Sequence, residues 1–262
     1  MPYNPANVLM ELRDLQNILS EYGVDTPFTN IDTYRRAMVH KSYCTRKNEN
    51  FFEGNQDCPP GCIPLQEESN ERLEFLGDSV LSVAVASYLF ERYPDENEGF
   101  LTRMRTKLVN GKMLGKLCKI VGLHKYILIS KQIEENDGRQ ISNILEDAFE
   151  AFLAAIYLDY NFETAKEWII GVIETHLDFS ELVRENHNYK DQILKWFQQN
   201  HGYIPKFFEM DIETINNQKV FKVCLKDSRD NVISIGHGSN KKEAENDAAK
   251  TALRNLCVDF KG

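Results

Sequence analysis

A change of hydrophobic period near residue 180 constrains this chain more than any other feature. Up to residue 177 apolar side chains recur at helical spacing, over 6–23, 30–42, 70–93, 98–109, 111–121, 142–159 and 162–177. No alternating strand of any length interrupts them. Beyond that point "DQILKWFQQN" reads as a short helix and "FFEMDIE", "VFKVCLKD" and "NVISIGHG" as three short strands. "KKEAENDAAKTALRNL" closes the chain as a helix, with Asn240 as its natural N-cap. The pattern predicts an all-α domain over 1–180, a polar linker over 181–189 and a small α+β domain, α-β-β-β-α, over 190–262. Within the first domain the 44–68 segment, containing "NENFFEGNQDCPPGCIPLQEES", is rich in Gly, Pro and polar residues and reads as a loop insertion.

Charge divides the chain in the same way. The net charge is −9, which taken alone argues against a nucleic-acid partner. From Tyr189 onward, however, there are 12 Lys and Arg against 10 Asp and Glu, leaving 19 against 30 in the residues before it. The opening "MPYNPANVLMELRDLQ" has no basic stretch followed by an apolar one, so no signal peptide is expected. The apolar part of 75–90 contains Asp78 and runs into "ERYPDENE", so it reads as a core helix and not a membrane span. An intracellular, cytoplasmic protein is expected. Its six cysteines would then be reduced. Cys58 and Cys62 flank "PPG" with Cys44 and His40 upstream, but this is not a strong zinc spacing, and free loop thiols are the expected state.

The 70–90 helix carries acids where an apolar helix should not. Glu71, Glu74 and Asp78 fall within an arc of roughly 60° at about 100° per residue. Asp147 and Glu150 share one side of "SNILEDAFEAFLAAIYLDY", a helix otherwise apolar all round. Acids at a helix start favour the dipole, which accounts for Glu71 and Glu146 but not for Asp78 or Glu150 deeper in. If the two acidic spots meet, each pair of carboxylates about 5 Å apart repels by roughly 3 kcal/mol at an effective dielectric near 20. Full ionisation of four would exceed a typical domain's stability. Protons or divalent cations must neutralise such a cluster, and oxygen ligands favour Mg²⁺ or Mn²⁺. A cation with open positions would supply a nucleophile for phosphodiester hydrolysis.

These residues carry a resemblance. "NERLEFLGDSVL" is similar to the signature motif of the ribonuclease III family of double-stranded-RNA endonucleases, and "ILEDAFEAFLAAIYLD" resembles the family's second acidic motif. "MVHKSY" and "EGFLTRMRTKLV" fit the same family in the same order, covering about 31–177. The resemblance implies an all-α endonuclease domain in which Glu74, Asp78, Asp147 and Glu150 hold the metal, with Asp78 and Glu150 central to catalysis. Mg²⁺ is the implied cofactor, with Mn²⁺ as a substitute. Glu71 and Glu98 match acidic positions of lesser or indirect role, and Asn143 stands where many bacterial members have Ser. The resemblance also implies a homodimer in which an aromatic from one subunit is seated in the other, at the position of Phe75; a core Phe is the plainer alternative.

RNA contacts are expected in two places. From Arg103 to Lys125 seven Lys and Arg occur with no acid, and Arg103, Arg105 and Lys107 are candidate phosphate contacts. "GKMLGKL" in this stretch is one residue short of a P-loop and lacks the following Ser or Thr, so no nucleotide cofactor is expected. The 189–257 unit resembles a double-stranded-RNA-binding domain, most closely in "GHGSNKKEAENDAAKTAL". There Asn240, Lys241 and Lys242 open the last helix towards phosphates. Lys195 stands where many such domains carry Glu, and "INNQKVF" lacks their usual loop.

The implied activity is cleavage of double-stranded RNA to 5′-phosphate and 3′-hydroxyl ends with short 3′ overhangs, in RNA processing or degradation. The alternative is a non-catalytic protein that sequesters double-stranded RNA. Retention of all four acids favours the enzyme.

Overall fold

The computed structural model describes residues 2–45, 58–179, 182, 189–215 and 218–256, and divides the chain into two compact units, Met1–Leu182 and Val183–Gly262. Most of the expected linker, and Asn216 and Asn217 of "INNQKVF", lie outside the described residues.

In the first unit the helices are α1 (Leu12–Ser20), α2 (Ile31–Ala37), α3 (Glu71–Arg92), α4 (Glu98–Leu108), α5 (Gly111–Val121), a short α6 (Lys131–Glu134), α7 (Ser142–Asp159) and α8 (Phe162–His176). α7 is the axis of the unit. Every residue from Ala148 to Ile156 is buried, and α2, α3, α5 and α8 pack around it. A helix apolar on all sides has to be surrounded in this way. Trp168 fills the space beside Phe149 and Phe152, and its indole N–H donates to the Ile18 carbonyl at 3.3 Å. Side-chain caps at Asn97, Asn110 and Asn161 start α4, α5 and α8 by accepting from backbone N–H groups. α3 is, by length and composition, apolar enough to cross a membrane, with a mean hydropathy of 1.4. Its Leu73, Val80, Leu81, Ala84, Val85 and Leu89 are buried, and it packs on α7 and α8.

Two sequence expectations need correction here. Residues 6–11 are not helical. Asn4 and Asn7 are buried, and their side chains bond the Ile129 backbone, while Ala6 N–H closes on the Asn4 side chain. Such side-chain bonds compete with the helix ladder. The second helix stops at Ala37 instead of running to Ser42. Val39 forms an isolated bridge to Leu128, and Lys41–Tyr43 is a separate 3₁₀ turn.

The insertion closes on itself. Thr45 N–H donates to the Gln66 carbonyl at 2.8 Å, and Gln66 N–H to the Tyr43 carbonyl at 3.0 Å. Its returning limb packs Ile63 and Leu65 against Val39, Tyr43 and Leu128. Cys44, Cys58 and Cys62 are free thiols, and Cys58 points its Sγ at the Cys62 carbonyl, 3.2 Å away.

The second unit is α9 (Tyr189–His201), β1 (Lys206–Ile215), β2 (Gln218–Lys226), β3 (Val232–Gly238) and α10 (Lys241–Asn255), with an antiparallel sheet in the order β1-β2-β3. α9 and α10 cover one face, packing Ile193, Phe197, Ala249 and Leu253 around Leu225 of β2. α10 lies unusually close to β3. A Cβ at Gly236 or Gly238 would collide with the α10 backbone at Ala248 or Ala244, so only glycine fits at either position.

Candidate functional site

The acidic residues meet where α3 crosses α7. Gly77 sits one residue before Asp78 and three after Glu74, and it has no side chain to hold the helices apart. A Cβ there would fall inside the Glu150 backbone carbonyl. The crossing therefore places Glu74 and Asp78 opposite Asp147 and Glu150. Asp78 is exposed, Glu74 and Asp147 are half-buried, and Glu150 is 7% exposed.

Burial and mutual repulsion leave their mark on the titration of these groups. Desolvation, reinforced by the charges of Asp78, Glu146, Glu74 and Asp147, pushes the Glu150 carboxyl up to about 8. Glu74 is raised by desolvation and by Asp147 and Glu71, while Asp147 is raised by desolvation and by Glu146. Among the described residues no three His, Cys, Asp or Glu side chains close tightly on a single point. The carboxylates share one field instead. That donor set suits a hard divalent cation. It is all oxygen, it lacks a thiol, and the nearby His40 turns its Nδ1 to Ser42 Oγ at 2.8 Å.

Not every expected residue joins the cluster. Glu71 is tied at its margin, accepting from Lys41 Nζ at 3.2 Å and from Ser69 Oγ at 3.0 Å, which holds its carboxyl below the usual range. Glu98 sits exposed in the first turn of α4 and accepts from Thr102 Oγ1 at 2.9 Å. It is not among the charges that shift Glu74, Asp147 or Glu150. Glu146, by contrast, belongs to the cluster. It is raised by desolvation and by Glu74 and Asp78, and its carboxylate lies where a side chain on Gly111 would stand, at the start of α5. Sequence reading assigned it only to the dipole of α7. Its place one residue before Asp147 was the available signal.

Phe75 is 79% exposed, which removes the core alternative within one subunit. With Val83 and Phe90 it forms an uncovered apolar face along α3. In the basic stretch Arg103, Arg105, Lys112 and Lys116 are exposed. Lys107 instead donates to the Leu182 carbonyl at 3.2 Å, and Lys119 to Gln140 Oε1 at 2.6 Å.

In the second unit the Asn240 side chain caps α10, accepting from Glu243 N–H at 3.0 Å. Lys241 and Lys242 are exposed at that helix start, and Lys241 Nζ lies 3.5 Å from Glu209 Oε2 on β1.

Known proteins match both units. The model of a family described as ribonuclease-III-like matches residues 30–177, and a double-stranded RNA binding motif matches 189–256. A protein named "Probable ribonuclease 3" from Acanthamoeba polyphaga mimivirus is 36% identical over 257 residues; these span 97% of this chain but 47% of that relative's length. Ribonuclease 3 of Borreliella burgdorferi is 34% identical over 241 residues, spanning 92% of this chain and 90% of the relative. Among solved structures, the nuclease domain of ribonuclease III from Campylobacter jejuni, described as flexible in a region involved in dimer formation, superposes with a TM-score of 0.52 at 31% identity. That match covers 64% of this chain and 99% of the other. With the acidic crossing and the α-β-β-β-α unit in place, these matches show that the chain belongs to the ribonuclease III family of double-stranded-RNA endonucleases.

Proposed function

We propose that this protein hydrolyses both strands of duplex RNA as a homodimer, each subunit acting on one strand, to leave 5′-phosphate and 3′-hydroxyl ends with short 3′ overhangs. The observation that carries the reading is the crossing of α3 and α7, where burial first, and the neighbouring charges of Asp78, Glu146, Glu74 and Asp147 second, push the Glu150 carboxyl up to about 8. A site that resists ionisation so strongly gains most from a cation. Mg²⁺ is the proposed cofactor, with Mn²⁺ as a substitute. Bound there, it supplies Lewis-acid polarisation of the phosphate and a lowered water pKa.

The chain's own contributions follow from placement. Glu74, Asp78, Asp147 and Glu150 would hold the cation, and Asp78 follows Gly77, the residue that lies against the Glu150 backbone. Water adds to phosphorus as the bond to the 3′ oxygen breaks, and that oxygen leaves with a proton as the 3′-hydroxyl. Arg103 and Arg105 are exposed on α4 and are proposed to meet phosphates, with Lys107 in a lesser role because its ammonium is already engaged. Asn240, Lys241 and Lys242 are proposed to bring the second unit onto the duplex. The uncovered face with Phe75 is proposed to meet the same face of a second copy.

Incubating full-length protein with a long RNA duplex tests this. Recessed 5′-phosphate ends should form with Mg²⁺, and neither EDTA nor Glu150→Gln should allow them. Turnover in EDTA, or by the variant in Mg²⁺, would overturn the site.

A further inference from the structure

Lys41 puts a cation beside the acidic crossing. It opens the 3₁₀ turn Lys41–Tyr43, which is pinned on both sides of Lys41. His40 N–H donates to the Leu128 carbonyl at 3.1 Å, and Ser42 Oγ accepts from Ser130 N–H at 3.0 Å. Tyr43 is fully buried, with its hydroxyl on the Ile63 carbonyl at 2.6 Å. The turn fixes where the Lys41 backbone stands, and Glu71 then holds the ammonium. Nζ reaches Glu71 Oε1 at 3.2 Å, and its charge is felt at Glu74 and at Asp147. Glu71 Oε2 is taken by Ser69 at 3.0 Å, so both oxygens of this carboxylate are engaged.

We propose that Lys41 is a positioning residue of the active site: it keeps Glu71 out of the set that takes the divalent cation, and its ammonium loosens that set's hold on the cation. The inference rests on the metal-dependent reading above. A positive charge beside a cation site opposes binding of a second positive charge by direct Coulomb repulsion, opposite in sign to the field of the neighbouring carboxylates. The pair itself contributes little to folding, since the Lys41 and Glu71 side chains are 67% and 54% exposed. Changing Lys41 therefore alters the site and not the fold.

The test is titration of the full-length protein with Mn²⁺ alone, without RNA, following free Mn²⁺ by its paramagnetic resonance signal. Lys41→Met should bind Mn²⁺ more tightly, on the order of 10-fold, because an opposing charge is gone. Lys41→Gln carries the same expectation, and Lys41→Arg, which keeps the charge, should stay within about 2-fold of wild type. Glu71→Gln should cost much less affinity than Glu74→Gln. Unchanged or weaker binding by both neutral Lys41 variants would overturn the inference, as would equal losses in the two glutamate variants. A wild type that takes up no Mn²⁺ would overturn the metal reading itself, whereas wild-type binding with indifferent Lys41 variants would overturn only the role of Lys41.

Discussion

The backbone carbonyl of Glu150 lies directly against the α-carbon of Gly77, so α3 and α7 touch backbone to backbone at the point where the acids emerge. One residue without a side chain thus sets how far apart two pairs of carboxylates stand.

Gly77→Ala should separate the helices, because the obstructing atoms belong to a main chain that is itself fully buried and cannot rotate away. The expected cost is about 3 kcal/mol of stability, at the upper end for overpacking. Cleavage should fall further than the melting temperature suggests, because a helix shift on the order of 1 Å redirects Glu74 and Asp78 away from α7. Thermal melts and single-turnover cleavage below the melting point would check this. A variant with normal stability would show that the crossing is looser than described.

Glu150 gives the cluster a signed pH dependence. Its folded value, about 8, lies above the ordinary 4.5, so the folded state holds a proton that the unfolded state has released. The associated stability is fully present below about pH 4.5 and is lost as pH rises towards 8. Glu74, Glu146 and Asp147 are raised as well and act with the same sign. In EDTA the wild type should therefore melt progressively lower from pH 6 to pH 9. Glu150→Gln should remove most of that slope and be the more stable protein at pH 8.5, by on the order of a few kcal/mol. Mg²⁺ should raise the melting temperature of the wild type at pH 8.5 much more than that of the variant. Parallel melting curves in EDTA would contradict the burial assigned to Glu150.

Phe75 projects into solvent from α3, 79% exposed, so truncating it should leave the stability of an isolated subunit within about 0.5 kcal/mol. If a partner's pocket receives the ring, Phe75→Ala should weaken association by a few kcal/mol, as large-to-small changes at packed sites do. Sedimentation at low micromolar concentration would separate the two effects. An unchanged dimer would place the contact elsewhere on α3.

How much of this was legible depended on whether a residue's role is written in its own neighbourhood. The long helices and the three strands were readable because their apolar residues repeat at 3.6 or near 2, and α3, α7 and β3 begin and end within about two residues of expectation. The acids of the crossing stood out because carboxylates in an apolar helix have few explanations. Residues 6–11 misled because Asn4 and Asn7 spend their side chains on Ile129, more than a hundred positions away. The exposure of Phe75 was unreadable for a related reason: an apolar residue on an apolar helix looks buried until the neighbours are placed. Lys41 and Glu146 are ordinary surface charges in the sequence, and only the turn at Lys41–Tyr43 and the gap at Gly111 give them a direction.

The start of α10 offers a final prediction, in which an acid restrains a base. Lys241 Nζ lies 3.5 Å from Glu209 Oε2, with the two side chains 59% and 40% exposed, so the pair is worth well under about 1 kcal/mol and opens easily. If Lys241 meets a phosphate, that opening is part of binding, and Glu209 is a negative charge left near the RNA backbone. Glu209→Gln should then tighten duplex binding about 2- to 5-fold by freeing Lys241 and removing the repulsion. Lys241→Ala and Lys242→Ala should each weaken it and make the log–log salt dependence shallower by just under about one unit. Glu209→Gln placed on Lys241→Ala should recover only the repulsion and none of the freed contact, so the two changes should be non-additive. Filter binding across several salt concentrations, with duplex RNA, single-stranded RNA and duplex DNA, reads all of this at once. The effects should be largest on duplex RNA, whose groove spacing lets α10 engage together with the rest of the unit. Equal effects on all three ligands, or a Glu209→Gln change that weakens binding, would mean that Lys241 holds β1 to α10 and does not reach RNA.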